Sequence, residues 1–175
     1  PAGRLWTVLH FGAIGVGFML LEMLLIQRLT RFLGTPVYAT AVVLAAILLF
    51  SGVGSVVQER LSLAATGRIR LSALLQVALI AVTQLGLDPV LGAAVELSLS
   101  ARVVLSLALL APISLVLGVQ MPAGLALLSQ QRGDLIPVAW AVNGVASVTA
   151  APLAVLIAVS AGFPAVAGLA AACYA

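Results

Sequence analysis

Charge is the first thing this chain goes without. Only 7% of its residues are Asp, Glu, Lys or Arg, where an ordinary globular domain carries roughly a quarter. A soluble fold of 175 residues cannot cover its surface with so few charges. Lysine is missing altogether. Eight arginines stand against five acidic residues, a formal net charge of +3. That is too little, and too scattered, for a nucleic-acid surface. Cysteine occurs once, at Cys173, which excludes an internal disulfide framework and a multi-cysteine metal site. Histidine also occurs once, at His10, which argues against a histidine-based metal centre made by this chain alone. Pro1 stands where an initiator methionine would, so the expectation is a processed product or a fragment. The first apolar run is accordingly not read as a signal peptide.

What is present is apolar: hydrophobic residues make up 63% of the chain. The solvent for most of it must be lipid or other apolar protein. In lipid a helix satisfies its own backbone hydrogen bonds and its side chains can face hydrocarbon. A crossing takes about 20 apolar residues. On that measure the chain reads as an all-α, polytopic transmembrane helix bundle forming one domain. Five full spans are expected over about 5–26, 37–57, 71–87, 103–120 and 136–159, with a truncated sixth over 164–175.

The punctuation between spans is specific. Gly34 and Pro36 in "RFLGTP" mark a turn. Asp88 and Pro89 should stop the third span, leaving "VLGAAVELSLSAR" as a short amphipathic helix in the interface. The fourth span holds Pro112 and should end at "QMPAG", so that "LALLSQQ" lies near the surface. Pro152 should kink the fifth span, and "SAGFP" should turn the chain. The "RGD" tripeptide, Arg132 to Asp134, matches an adhesion signal too short to carry weight.

Loop arginines set an orientation. Arg4, Arg60, Arg68, Arg70 and Arg132 fall on one side, and Arg28, Arg31 and Arg102 on the other. The excess places the N-terminal side and the 58–70 loop in the cytoplasm.

Glu22 is the one acidic residue deep in a span. A carboxylate at the bilayer centre costs roughly 3 kcal/mol. Gly15 lies on nearly the same helix face, with Phe18 and Met19 close by, so Glu22 is expected to point at another helix. Two readings stand side by side: a proton or cation site in a transport path, or a neutral or paired carboxyl tying two helices together. In the fifth span Ala139, Asn143, Ser147 and Ala151 recur every four residues as a small or polar stripe, with Trp140 and Gly144 beside it. Asn143 is the expected partner of Glu22.

Ser51 and Ser55 sit four apart, with Gly52 and Gly54 between them in "FSGVGS". Close helix contact, or a backbone opened near the interface, are the readings there. "GAIGVG" has the wrong spacing for a dinucleotide fingerprint and lies within a span. Gln76 and Gln84 share a rough face and offer hydrogen bonds across helices, with packing the favoured role. His10 reads as an interfacial hydrogen-bonding residue. Arg28 and Arg31 are expected to snorkel to the head groups. No paired carboxylates near a base, no nucleophile with a histidine and no metal-ligand cluster is found. No catalytic residue, metal or cofactor is therefore assigned to the chain itself.

The stretch "GVGFMLLEMLLIQRLTRFLGTPVYATAVVLAAILLFSGVGS" resembles the C-terminal membrane region of bacterial integral membrane proteins fused to a spermidine-synthase-like domain. "GVQMPAGLALL" and "AWAVNGVASVTAAPLAVLIAVSAGF" resemble later pieces of the same region, in the same order. The positions that match are Glu22, Gln27, Gly34, Pro36, Gly52, Gly54, Pro122, Asn143 and Gly144. The resemblance implies a multi-pass helical block of the bacterial inner membrane, with the transferase domain and any S-adenosyl or polyamine chemistry outside these residues. It implies lipid as the surroundings and other membrane subunits or a fused cytoplasmic domain as partners. The expected function is a non-catalytic anchor or scaffold. The rival readings are half of a transporter for a polyamine or other small cation, with Glu22 as its site, and an enzyme whose pocket borrows residues from the missing domain.

Overall fold

The computed structural model describes residues 2–175, and Pro1 lies outside them. The described residues are all-α: α1 Ala2–Leu33, α2 Pro36–Glu59, α3 Ala65–Ala93, α4 Leu99–Arg132, a 3-10 turn Gly133–Leu135, and α5 Ile136–Tyr174. The turn after α1 follows the sequence closely. Gly34 takes φ 85°, a left-handed conformation open to glycine. Thr35 then caps α2, its hydroxyl accepting from the Tyr38 amide at 3.4 Å, and Pro36 opens the helix.

Four helical stretches are long and apolar enough to cross a membrane: Gly3–Leu33, Pro36–Glu59, Ala65–Ala93 and Leu99–Tyr174. The expected five full spans and truncated sixth are not matched. The expected boundaries fail where proline was read as a stop. α3 runs through Asp88 and Pro89 to Ala93, so the separate interfacial helix does not form. Its residues instead end α3, turn, and begin α4 under a Ser98 cap. α4 likewise runs through Pro112, "QMPAG" and Pro122 to Arg132. A proline inside a helix costs about 3 kcal/mol in water. In an apolar solvent, abandoning the helix would leave many backbone groups without partners, which costs more.

The break in α5 falls at Gly162, which has φ 81° and ψ 170°. Pro152 keeps helical backbone angles. The chain reverses at this point, and the segment after Gly162 lies back on α1. Phe163 sits over Arg28 and Arg31, with centroid distances of 5.6 and 5.4 Å. Eleven residues later, Tyr174 packs on Gly17, where a Cβ would lie 2.8 Å from the tyrosine ring.

Contacts between helix ends give the topology. Arg102 donates to the Phe32 carbonyl at 2.7 Å, and Arg28 lies 3.8 Å from Asp88. These join the C-terminal ends of α1 and α3 to the start of α4. At the opposite end, Arg68 donates to the Gln58 side chain at 2.7 Å, and Gly3 faces Arg132. α1 and α3 therefore run one way, α2 and α4 the other, and α5 sets out alongside α1.

The core gathers Leu21, Leu25 and Leu29 of α1, Val43 and Ile47 of α2, Ile80 of α3, and Leu110 and Ile113 of α4. Much of the outer surface is as apolar as this core. Leu85 is 81% exposed and Val159 82%, and Leu48, Leu74 and Val148 also face outward. Exposed leucine and valine on that scale belong against lipid. There packing and polar contacts, more than area removed from water, hold helices together.

Candidate functional site

Two helix contacts shape the interior. At the α2–α4 crossing, Gly54 lies against the Leu115 carbonyl and Gly118 against the backbone of Ser51. No side chain separates the two helices, and a Cβ at either glycine would occupy the other backbone. Gly54 was legible as a packing residue. Its counterpart Gly118 lay inside the expected fourth span and was not singled out.

The α1–α5 seam is built differently. Gly15 lets α5 approach: a Cβ there would lie 2.5 Å from the Asn143 backbone carbonyl and 3.0 Å from the Ser147 hydroxyl. The Asn143 amide donates to the Phe11 carbonyl at 3.1 Å, and Ser147 donates to the Gly15 carbonyl at 3.3 Å. Both bonds join residues 132 apart in sequence, so the helices run parallel in a steady register. The stripe expected on the fifth span is therefore the face that meets α1, and Ala139 on it is fully buried.

The expected Asn143–Glu22 contact is not formed. Glu22 lies eleven residues beyond Phe11, about 16 Å along the axis. Continuing the register brings Ala154, also fully buried, to the level of Glu22. Spacing along the fifth span identified the face that packs, but not the residue of α1 that it meets. Glu22 itself is only 7% exposed, and among the described residues no group hydrogen-bonds to its carboxyl. Gln27, one turn and a half further on, is half-buried.

Between these contacts lies a cavity of about 550 Å³, bounded by α1, α2, α4 and α5. It brings together Ser51, Ser55, Asn143 and Ser147, with Trp140 and Pro122. Phe18 and Met19 close its α1 side, and Gly52 widens it because nothing stands within 4 Å of where its Cβ would be. Glu22, one turn past Phe18, is not among the lining residues. The polar lining is neutral: hydroxyls, an amide and an indole. Such a cavity can accept and donate hydrogen bonds but carries no ionisable lining group for proton transfer. Among the described residues no three of His, Cys, Asp and Glu gather into a possible metal site.

Other expectations are corrected. Gly144, read as a packing glycine, is exposed with nothing within 4 Å of its Cβ position. Arg28 does not snorkel. It is buried between α1 and α3, and its guanidinium donates to the Thr83 carbonyl at 3.4 Å, while Arg31 is exposed. Gln76 is fully buried, yet neither its amide nitrogen nor its oxygen has a partner among the described residues, and Gln84 leaves its oxygen unpaired. His10 stacks on Trp6 at 4.6 Å, and its Nε2 faces Gly124 without a hydrogen-bond partner. Sequence reasoning missed Arg102, Phe163 and Tyr174. Each acts across elements distant in the chain, and no local pattern signals that.

Compared with protein-family models, curated proteins and solved structures, the chain matches none.

Proposed function

We propose that this chain is a non-catalytic integral membrane module that anchors or scaffolds a larger spermidine-synthase-like protein or membrane complex. One observation carries the reading: the polar side chains of the α1–α5 seam, Asn143 and Ser147, are occupied by neighbouring helix carbonyls. Polar groups used this way hold helices together and leave little free for a substrate. The arginine distribution supports an orientation with the end bearing Arg4, Arg60, Arg68, Arg70 and Arg132 in the cytoplasm, and the family resemblance supports a bacterial inner-membrane setting. A fused transferase domain or a membrane subunit is the partner this reading calls for.

A second reading has its own support in the 550 Å³ cavity one turn from Glu22. There the chain is half of a transporter for a polyamine or other small cation, with Glu22 as the intramembrane site. Glu22→Gln separates the two. Glutamine keeps the shape and the hydrogen bonding, so a scaffold retains its fold and whatever copurifies with it in mild detergent. A transporter with this substitution loses pH-dependent spermidine uptake in reconstituted vesicles. Unchanged copurification together with lost uptake would overturn the scaffold reading in favour of the transporter.

A further inference from the structure

The arginines of the α1–α2 end have a use that helix packing does not exhaust. Arg28 and Arg31 sit one turn apart near the end of α1, at the depth where a crossing helix meets head groups. Between α1 and the end of α3 they line a pocket of about 310 Å³, with Phe32, Asp88, Leu91 and Val95. Gly92 contributes a wall without a side chain. The Arg28 side chain is only 5% exposed, yet its Nε has no hydrogen-bond partner among the described residues. Its Nη1 reaches the Thr83 carbonyl at 3.4 Å and Asp88 at 3.8 Å, both long. An arginine carries five donors in a fixed fork, and so buried a fork with so few short bonds is under-used.

The surroundings fix that fork in place. Phe163, delivered by the reversal at Gly162, lies against both guanidiniums. Arg102 is held nearby by its bond to the carbonyl of Phe32, one of the lining residues. Asp88 is the one carboxylate in the lining, so Arg28 and Arg31 leave the pocket one positive charge in excess. The remaining walls are apolar. A tetrahedral phosphate oxyanion matches an arginine fork in charge and geometry. Apolar walls next to it suit acyl chains better than a free ion.

We propose that this pocket binds the phosphate of an anionic phospholipid head group, with Arg28 as the buried donor and Arg31 as the exposed one. The same chemistry would serve inorganic phosphate, and the apolar walls favour the lipid. The test is native mass spectrometry of the full chain in mild detergent, titrated with phosphatidylglycerol and with phosphatidylcholine. Phosphatidylglycerol is expected to bind in preference, and excess inorganic phosphate to leave it in place. Arg31→Gln, at an exposed position whose contact with the Phe163 ring Arg28 shares, should weaken phosphatidylglycerol binding about fivefold. Arg28→Gln should weaken it at least as much. If that variant does not fold, Arg31→Gln decides alone. Arg132→Gln at the opposite end should change nothing. Equal binding of the two lipids, an unchanged affinity in Arg31→Gln, or an equal loss in Arg132→Gln would overturn the proposal. Displacement of the lipid by inorganic phosphate would overturn the lipid as the source.

Discussion

The α2–α4 crossing and the α1–α5 seam solve one problem in opposite ways. Lipid tails are as apolar as leucine, so burying a leucine between two helices gains little over leaving it against lipid. At the crossing, Gly54 and Gly118 remove side chains until backbone meets backbone. Along the seam, Asn143 and Ser147 stay, and their donors are spent on the carbonyls of Phe11 and Gly15. The first contact depends on shape and tolerates nothing larger than hydrogen. The second adds single hydrogen bonds to a close approach at Gly15, and each of those bonds can be lost without a clash. The cavity lies between the two, where neither device fills the space.

Breaking the crossing should have the largest effect. Gly118→Leu drives a side chain into the backbone of Ser51, which cannot move aside as a rotamer can. The expected cost is about 3 kcal/mol, a large fraction of the stability of a typical folded domain. Unfolding in detergent, followed by circular dichroism against a denaturant titration, measures it. A near-native midpoint would mean that the two helices are not in backbone contact.

Breaking the seam should cost less. Asn143→Ala removes the donor to Phe11 and should cost about 1 kcal/mol, with Ser147→Ala smaller at about 0.6 kcal/mol. If the seam is held as described, the double substitution costs more than either single one, with some coupling expected because both side chains lie one turn apart around Gly15. A cost for Asn143→Ala that vanishes in a Glu22→Ala background, where no side-chain hydrogen bond remains at that position, would revive the Asn143–Glu22 pairing. The same denaturant titration on the four chains of each cycle decides between them.

The smallest effect should come from Gly144→Ala. This glycine faces outward with open space around it, so the change should stay within about 0.5 kcal/mol of the parent chain. A loss comparable to that of Asn143→Ala would place a helix where none of the described residues stands.

The comparison also separates what a sequence can carry from what it cannot. The turn was legible from Gly34 and Pro36, whose backbone requirements are local, whereas the Thr35 cap between them was not singled out. The apolar runs were legible because composition alone decides the solvent. The stops expected at Pro89 and at "QMPAG" failed because a proline's local cost competes with the loss of backbone bonds throughout the segment. Of the candidate site, Ser51, Ser55, Asn143 and Ser147 were marked individually, and they do line one cavity. Their meeting there depends on the register between helices, which spacing within a helix does not encode. The pairing of Gly54 across from Gly118 was hidden for the same reason, and so was the choice of Phe11 over Glu22 by Asn143.

All of this rests on an outer surface that faces lipid. Nitroxide labels on single cysteines test it most directly, in a Cys173→Ala background, with collision rates against oxygen and against a water-soluble nickel chelate in reconstituted bilayers. Labels at Leu48, Leu85 and Val148 should collide with oxygen and be shielded from nickel, while labels at Arg60 and Glu96 show the reverse. Nickel collisions at Leu48, Leu85 and Val148 as frequent as those at Arg60 would contradict the account.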